Sequence, residues 1–389
     1  MQFSEIQELE EQYQLSTYKK MGISVEHGRG SWVWTSEGDK YLDLYGGHAV
    51  CATGHSHPHV VRAIKTQAEK VIFYSNLVYS ETRARAAEKL VSIAPNSLTR
   101  AFFCNSGTEA NENAMRMARL ATGREKVISF SGGFHGRTAD SISATFLGKY
   151  QEIGRPNVPG HVRAEFGDIE SVRELADDET AAVILEPIQS MAGVREAPPE
   201  FFTELRNICD ALGIILIFDE VQTGIGRAGS WFFAGSALAG EVEPDVITLA
   251  KSLGSGLPVG ACLVSKAIAG HIAENDLGTT FGGGMLAMAA VLATLEAIED
   301  HGMIENAAAA ENYLRDNLKD IGGIAAVRGR GCLLGIEFEE PAARVHAQLL
   351  KKKIITGTSS APNVLRLLPP LCIGLPELNL LVDALKQNG

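Results

Sequence analysis

The run Ile214-Ile215-Leu216-Ile217-Phe218-Asp219-Glu220 closes an apolar stretch on an acidic pair. Thirty-two residues past Asp219 comes Lys251, in Thr248-Leu249-Ala250-Lys251-Ser252-Leu253-Gly254. Outward from these, the same pattern recurs at Ala101-Phe102-Phe103-Cys104, Val127-Ile128-Ser129-Phe130, Ala181-Ala182-Val183-Ile184-Leu185, Val246-Ile247-Thr248-Leu249 and Ala261-Cys262-Leu263-Val264. Near-continuous apolar runs separated by helical stretches predict a mostly parallel sheet covered on both faces, an α/β fold. In such sheets ligands gather at the carboxyl ends of the strands, where Ser106, Glu186, Asp219 and Lys251 fall.

Small and apolar residues at three- and four-residue steps predict a helix over 108–122, and an alanine-rich one over 285–300 that bridges toward a second domain. Past residue 300 a helix (306–318), short strands within 327–338 and 364–368, and a final helix (377–386) predict a small α+β domain. The expected division is an N-terminal segment, 1–45, packing with the small domain; a large domain, 46–290; and a small domain, 291–389. A chain of 389 residues is long enough for two cores.

The formal charge of −12 argues against a nucleic-acid or anionic-membrane partner, so anionic substrates must meet local arginines. Six scattered cysteines form no C-x-x-C pair, which speaks against disulfides and zinc and fits a reducing cytoplasm. The acidic start Ser4-Glu5-Ile6-Gln7-Glu8 lacks the pattern of a signal peptide, and no apolar run approaches the ~18 residues of a membrane span.

A lysine and a carboxylate at the ends of two strands are what pyridoxal phosphate chemistry needs: an amine for the Schiff base and a counter-charge for the ring nitrogen. A surface lysine is the commoner case, but Gly254, Gly256 and Gly260 after Lys251 allow close backbone approach to a ligand. Asp-Glu at a strand end can also hold magnesium, yet no phosphate-binding G-x-x-x-x-G-K-[ST] loop is present. Cys104-Asn105-Ser106-Gly107-Thr108-Glu109 couples a strand end to a helix start, where free N–H groups and the Ser106 and Thr108 hydroxyls would suit a phosphate. Ser106 reads equally well as a plain helix N-cap. In Gly132-Gly133-Phe134-His135-Gly136-Arg137-Thr138, Phe134 could stack on a flat ring or simply pack. Arg137 could clamp a carboxylate, each charged hydrogen bond contributing roughly 1.5–3 kcal/mol. His55, His57 and His59 have alternate spacing, but Pro58 and the amphipathic run after it favour a turn and helix start over a metal site.

Taken together, these segments resemble the class III (ornithine-type) aminotransferases of fold type I, most closely the acetylornithine aminotransferase branch. The resemblance runs from Tyr41-Leu42-Asp43-Leu44-Tyr45-Gly46-Gly47 to Asn363-Val364-Leu365-Arg366 and includes Leu185-Glu186-Pro187-Ile188-Gln189 and Phe218-Asp219-Glu220-Val221-Gln222-Thr223-Gly224. It implies Lys251 as cofactor-bearing lysine and proton shuttle, with Asp219 as partner of the pyridinium nitrogen. Val221 and Phe134 would sandwich the ring, Gln222 would reach its phenolic oxygen, and Ser106, Gly107 and Thr108 would hold the phosphate, with Glu220 in the same cofactor-binding set. Thr280 would bind the phosphate of the neighbouring subunit's cofactor, which implies a homodimer with shared sites. Arg137, Thr279 and Arg366 would meet substrate, the arginines through its carboxylates.

Two departures stand out. Relatives usually carry Gly-Glu where this chain has Ser190-Met191, and that glutamate pairs with the arginine aligned to Arg366. Arg366 is therefore expected to lack a partner and stay available. Gly282-Gly283-Gly284-Met285 replaces the usual Gly-Gly-Asn-Pro. The activity implied is transfer of the terminal amine of an acylated ornithine, N-acetylornithine first, to 2-oxoglutarate. Succinylornithine, ornithine, 4-aminobutyrate and carrier-bound lysine are rival donors. An aminomutase is more remote, because Arg366 suits an external acceptor, and Lys251 with Asp219 argues against a mere binding protein.

Overall fold

A computed structural model describes residues 1–387. Its centre is a seven-stranded sheet, in spatial order Leu98–Cys104, Gly260–Ser265, Val246–Leu249, Ile215–Asp219, Thr180–Leu185, Lys126–Phe130 and His161–Ala164. Gly260–Ser265 runs antiparallel to both of its neighbours and the remaining pairings are parallel, so the sheet is mostly parallel as expected. Thr180–Leu185 is buried at every residue, the signature of a strand covered on both faces. Phe218 packs edge-on to Phe202 of the helix Pro199–Leu212 on one face, while Ile217 joins the cluster containing Ala110, Ala114 and Met117 on the other. The strand His161–Ala164 was not expected from the sequence; it is a short edge strand with only one buried residue.

The expected helices form as Gly107–Thr122, Met285–Asp300, Met303–Leu318 and Leu375–Lys386. Ser106 caps the first, accepting from Glu109 N–H, and Gly123 ends it with φ 68°. Met285–Asp300 packs against Pro58–Lys70 and Glu81–Ser92. A second sheet of Ile324–Arg330, Leu333–Phe338, Val364–Leu367 and Gly357–Thr358 carries Arg366. A third joins His27–Arg29, Trp32–Trp34 and Lys40–Asp43 to Ile354–Ile355, so early residues pair with late ones. All six cysteines are free, and no described helix is long and apolar enough to cross a membrane. Pro58 opens the helix Pro58–Lys70, and the three nearby histidines diverge: His55 bonds Asp43, His59 bonds Glu296 and His57 stacks edge-on to His301.

Candidate active site

Strand ends converge on a cavity of about 760 Å³ whose lining includes Ser106, Glu186, Asp219 and Lys251. Parallel strands put their carboxyl ends on one edge, so residues distant in sequence share one wall. Asp219 is the last residue of its strand and is 3% exposed. Its Oδ2 accepts from Asn111 Nδ2 (2.7 Å) and pairs with His135 Nδ1 (2.8 Å), and its Oδ1 accepts from Val221 N–H (3.1 Å). Thr248 donates in turn to Asn111 Oδ1 at 2.6 Å. Asn111, His135 and Thr248 were not singled out from the sequence. They lie up to 137 residues from their partners, and only the fold brings them together.

Lys251 takes φ 37°, an unfavourable backbone conformation for a side chain with a Cβ, at the start of a short 3-10 turn. Burial holds its amine below the usual lysine range, although Asp219 and Glu186 pull the other way. Burial, reinforced by Asp219, pushes Glu186 up to about 7; the carboxylate accepts from Phe134 N–H at 2.8 Å. Val221, Gln222, Phe134, Gly107, Thr108 and Arg137 complete most of the expected wall. Gln222 Oε1 is buried and finds no hydrogen-bond partner among the described residues. A Cβ on Gly107 would sit 2.8 Å from Val221 Cγ1, so glycine lets the helix start close on this wall. Arg137 donates to the Tyr150 hydroxyl (3.0 Å), with its guanidinium 5.0 Å and 5.7 Å from the rings of Tyr150 and Tyr18.

The expectations for Glu220, Thr279 and Arg366 need correction. Glu220 does not face the cavity: its carboxylate accepts from the N–H groups of Phe233 (2.7 Å) and Ala234 (2.8 Å) and from the Thr223 hydroxyl. The strand alternates, so with Asp219 toward the cavity its neighbour points away. Thr279 does not line its own chain's cavity and accepts from Asn105 Nδ2 at 3.0 Å; Thr280, expected to serve the neighbouring subunit's cofactor, is exposed and lies outside the cavity of its own chain. Arg366 is 2% exposed and far from partnerless. It donates to Thr358 O (2.7 Å), Ser190 Oγ (3.1 Å) and the Tyr45 hydroxyl (3.0 Å), while Met191 lines the cavity. Ser190, from the departing Ser-Met pair, thus meets the guanidinium with a neutral group.

The class-III aminotransferase model matches residues 13–388. The chain is 42% identical to the acetylornithine aminotransferase of Methanopyrus kandleri, covering 98% of this chain and 99% of the relative. It is 40% identical to that of Listeria monocytogenes over 95% of each. Among solved structures, ornithine aminotransferase from Toxoplasma gondii superposes with a TM-score of 0.93 at 26% identity, covering 100% of this chain and 94% of that one. Acetylornithine aminotransferase from Elizabethkingia anophelis gives 0.86 at 28% identity, covering 100% and 98%. With a matching family model over almost its whole length and a lysine-carboxylate cavity at the strand ends, the chain belongs to the class-III aminotransferases, pyridoxal phosphate-dependent enzymes.

Proposed function

We propose that this enzyme moves the terminal amine of N-acetylornithine to 2-oxoglutarate, giving the semialdehyde and glutamate, a step of arginine biosynthesis. The observation that carries the reading is the near-full-length likeness to acetylornithine aminotransferases of archaea and bacteria. The cavity supports it, with Arg137 on its lining and Arg366 behind that lining, linked through the Tyr45 hydroxyl to His48.

The residues fit pyridoxal phosphate. A buried lysine with a lowered pKa, a held carboxylate, a buried amide oxygen with no partner among the described residues and a helix start without an obstructing Cβ are the donor set it requires. When bound, the cofactor supplies a protonated ring that accepts electrons as the substrate's amine-bearing carbon loses its hydrogen. Lys251 Nζ, its pKa lowered by burial, takes that proton and returns it on the other side of the reaction. Asp219 would face the ring nitrogen, and its orientation is imposed by Asn111 and His135, so the counter-charge would not rotate away. Phe134 and Val221 would flank the ring, Gln222 would reach its phenolic oxygen, and the Ser106–Thr108 turn would offer N–H groups and hydroxyls to the phosphate.

Arg137 meets the donor's carboxylate and Arg366 the α-carboxylate of glutamate or 2-oxoglutarate. The hydroxyls of Ser190 and Tyr45 hold Arg366 until a carboxylate replaces them, and neutral partners yield to a charged one without the breaking of an ion pair. The enzyme works as a cytoplasmic homodimer, each Thr280 serving the other subunit's phosphate. In this reading 1–45 packs with a small domain at 291–389, and 46–290 carries the cofactor.

The test is a panel of amino donors followed by the fading of the pyridoxal absorbance. N-acetylornithine should give the highest kcat/KM. Preference for succinylornithine, free ornithine or 4-aminobutyrate would assign a different donor to the same chemistry.

A further inference from the structure

Residues Gly46, Gly47, His48 and Ala49 all lie in the left-handed region, with φ of 56°, 59°, 69° and 64°. Two of them carry a Cβ, for which this conformation is unfavourable. Such strain persists only where the surroundings impose it, and it clusters at ligand sites. Here Asp43 Oδ1 accepts from Tyr45 N–H (2.8 Å) and Gly46 N–H (2.9 Å), and the Gly46 carbonyl accepts from both Val50 and Cys51. The result is that the His48 ring joins the cavity lining, together with Lys251, Arg137 and Met191.

His48 Nδ1 is hydrogen bonded to the Tyr45 hydroxyl, and the two rings meet edge-on at 5.1 Å. Arg366 Nη2 donates to that same hydroxyl at 3.0 Å. A guanidinium can only donate, so the Tyr45 oxygen accepts there; among the described residues its own proton has His48 Nδ1 as its one hydrogen-bond acceptor, and the arrangement that satisfies it has Tyr45 donating to Nδ1. In that arrangement the imidazole proton sits on Nε2. Burial first, then the charges of Lys251, Arg366 and Arg137, hold His48 down to about 3, so the ring is neutral. It offers the cavity one N–H donor and no free acceptor.

We propose that His48 is a specificity-determining residue whose Nε2–H donates to the acyl carbonyl oxygen of the amino donor and whose donor-only edge disfavours a free α-ammonium. A carbonyl accepts without charge. An ammonium only donates, so it would face an N–H group with no acceptor between them, in a region already crowded by cations. A site built to hydrogen-bond a substrate group rejects an analogue lacking it more strongly than an apolar pocket does. The inference rests on the acylated-ornithine reading above and names the residue that enforces it.

Holoenzymes carrying His48→Phe or Tyr45→Phe test it, with kcat/KM measured for N-acetylornithine and for ornithine. His48→Phe keeps a ring but removes the donor, and the acyl-to-free ratio should fall roughly 10- to 100-fold. Tyr45→Phe keeps the histidine but frees its tautomer, so the ratio should fall by a smaller factor. If His48→Phe binds its cofactor and retains the wild-type ratio, the proposal is overturned while the donor assignment stands. Should that variant not fold, a wild-type ratio in Tyr45→Phe overturns it equally. A wild type that itself prefers free ornithine sinks the donor assignment, and the role of His48 with it.

Discussion

Burial works against charge at both Glu220 and Lys251, with different consequences. Burial raises the Glu220 carboxyl to about 7, even though the Phe233 and Ala234 N–H groups favour its charged form. Because the folded pKa lies above the ordinary 4.5, the protonated group favours the fold at low pH. That contribution is present below about 4.5 and fades as pH rises through about 7. Compared with Glu220→Gln, wild-type stability should therefore decline across this window, by on the order of 3 kcal/mol, when the two unfolding curves are followed against pH. A constant difference would mean that Glu220 does not titrate there. At Lys251 burial lowers the amine instead, which suits a group that must lose and regain a proton at neutral pH. Lys251→Arg keeps a cation of similar length but one that does not deprotonate. Single-turnover rates should drop by roughly 10²–10⁴ or more, with no protein-bound adduct after borohydride reduction. Retained turnover would remove Lys251 from the proton transfer. Both residues were legible in the sequence as chemistry, but which way Glu220 points was not. That depends on strand alternation, which becomes readable only once Asp219 is known to face the cavity.

The glycines at element ends show how closely backbone and site are coupled. A Cβ on Gly46 would approach Leu368 O to 2.6 Å at a φ of 56°. Gly46→Ala should cost on the order of 1–3 kcal/mol of stability, read as a fall in Tm, because both the contact and the backbone oppose it. The damage should extend to the Tyr45–His48 pair that the turn holds. Gly107→Ala would push Val221 out of place, and the affinity for pyridoxal phosphate should weaken roughly tenfold, about 1.4 kcal/mol, in an absorbance titration. Helices such as Gly107–Thr122 could be read from the sequence because small and apolar residues recur at the helical period. Strand direction could not: Gly260–Ser265 is as apolar as its parallel neighbours, and nothing in that pattern marks it as antiparallel. The left-handed turn was equally silent, since two of its residues are not glycine. Nor could the missing glutamate beside Arg366 reveal that Ser190 and Tyr45 fill its place with hydroxyls.

At the scale of the whole molecule, the exposed Thr280 and the apolar surface beside it belong to one argument. Leu77 is 92% exposed and Phe281 66%, more than an isolated enzyme surface needs. Phe73 packs on Phe281 at 5.1 Å, and Asn76 Nδ2 donates to Gly282 O at 2.9 Å, so the segment around Leu77 and the Thr280 loop form one continuous surface. Covering that surface with a second copy would bury the apolar side chains and set Thr280, which lies outside its own cavity, toward that of the other copy. A two-fold dimer makes this exchange reciprocal. Chromatography with light scattering should give twice the 41.7 kDa chain mass. Mass alone does not test sharing, but mixing inactive chains does. Lys251→Ala removes the amine and Thr280→Asp sets a negative charge against the phosphate, so each homodimer should be impaired at both sites. In a mixed dimer one site collects both defects and the other collects neither. After subunit exchange at equal amounts, random assortment should restore roughly a quarter of wild-type activity. If differently tagged subunits are seen to exchange and no activity returns, each chain completes its own site and the shared-site reading fails.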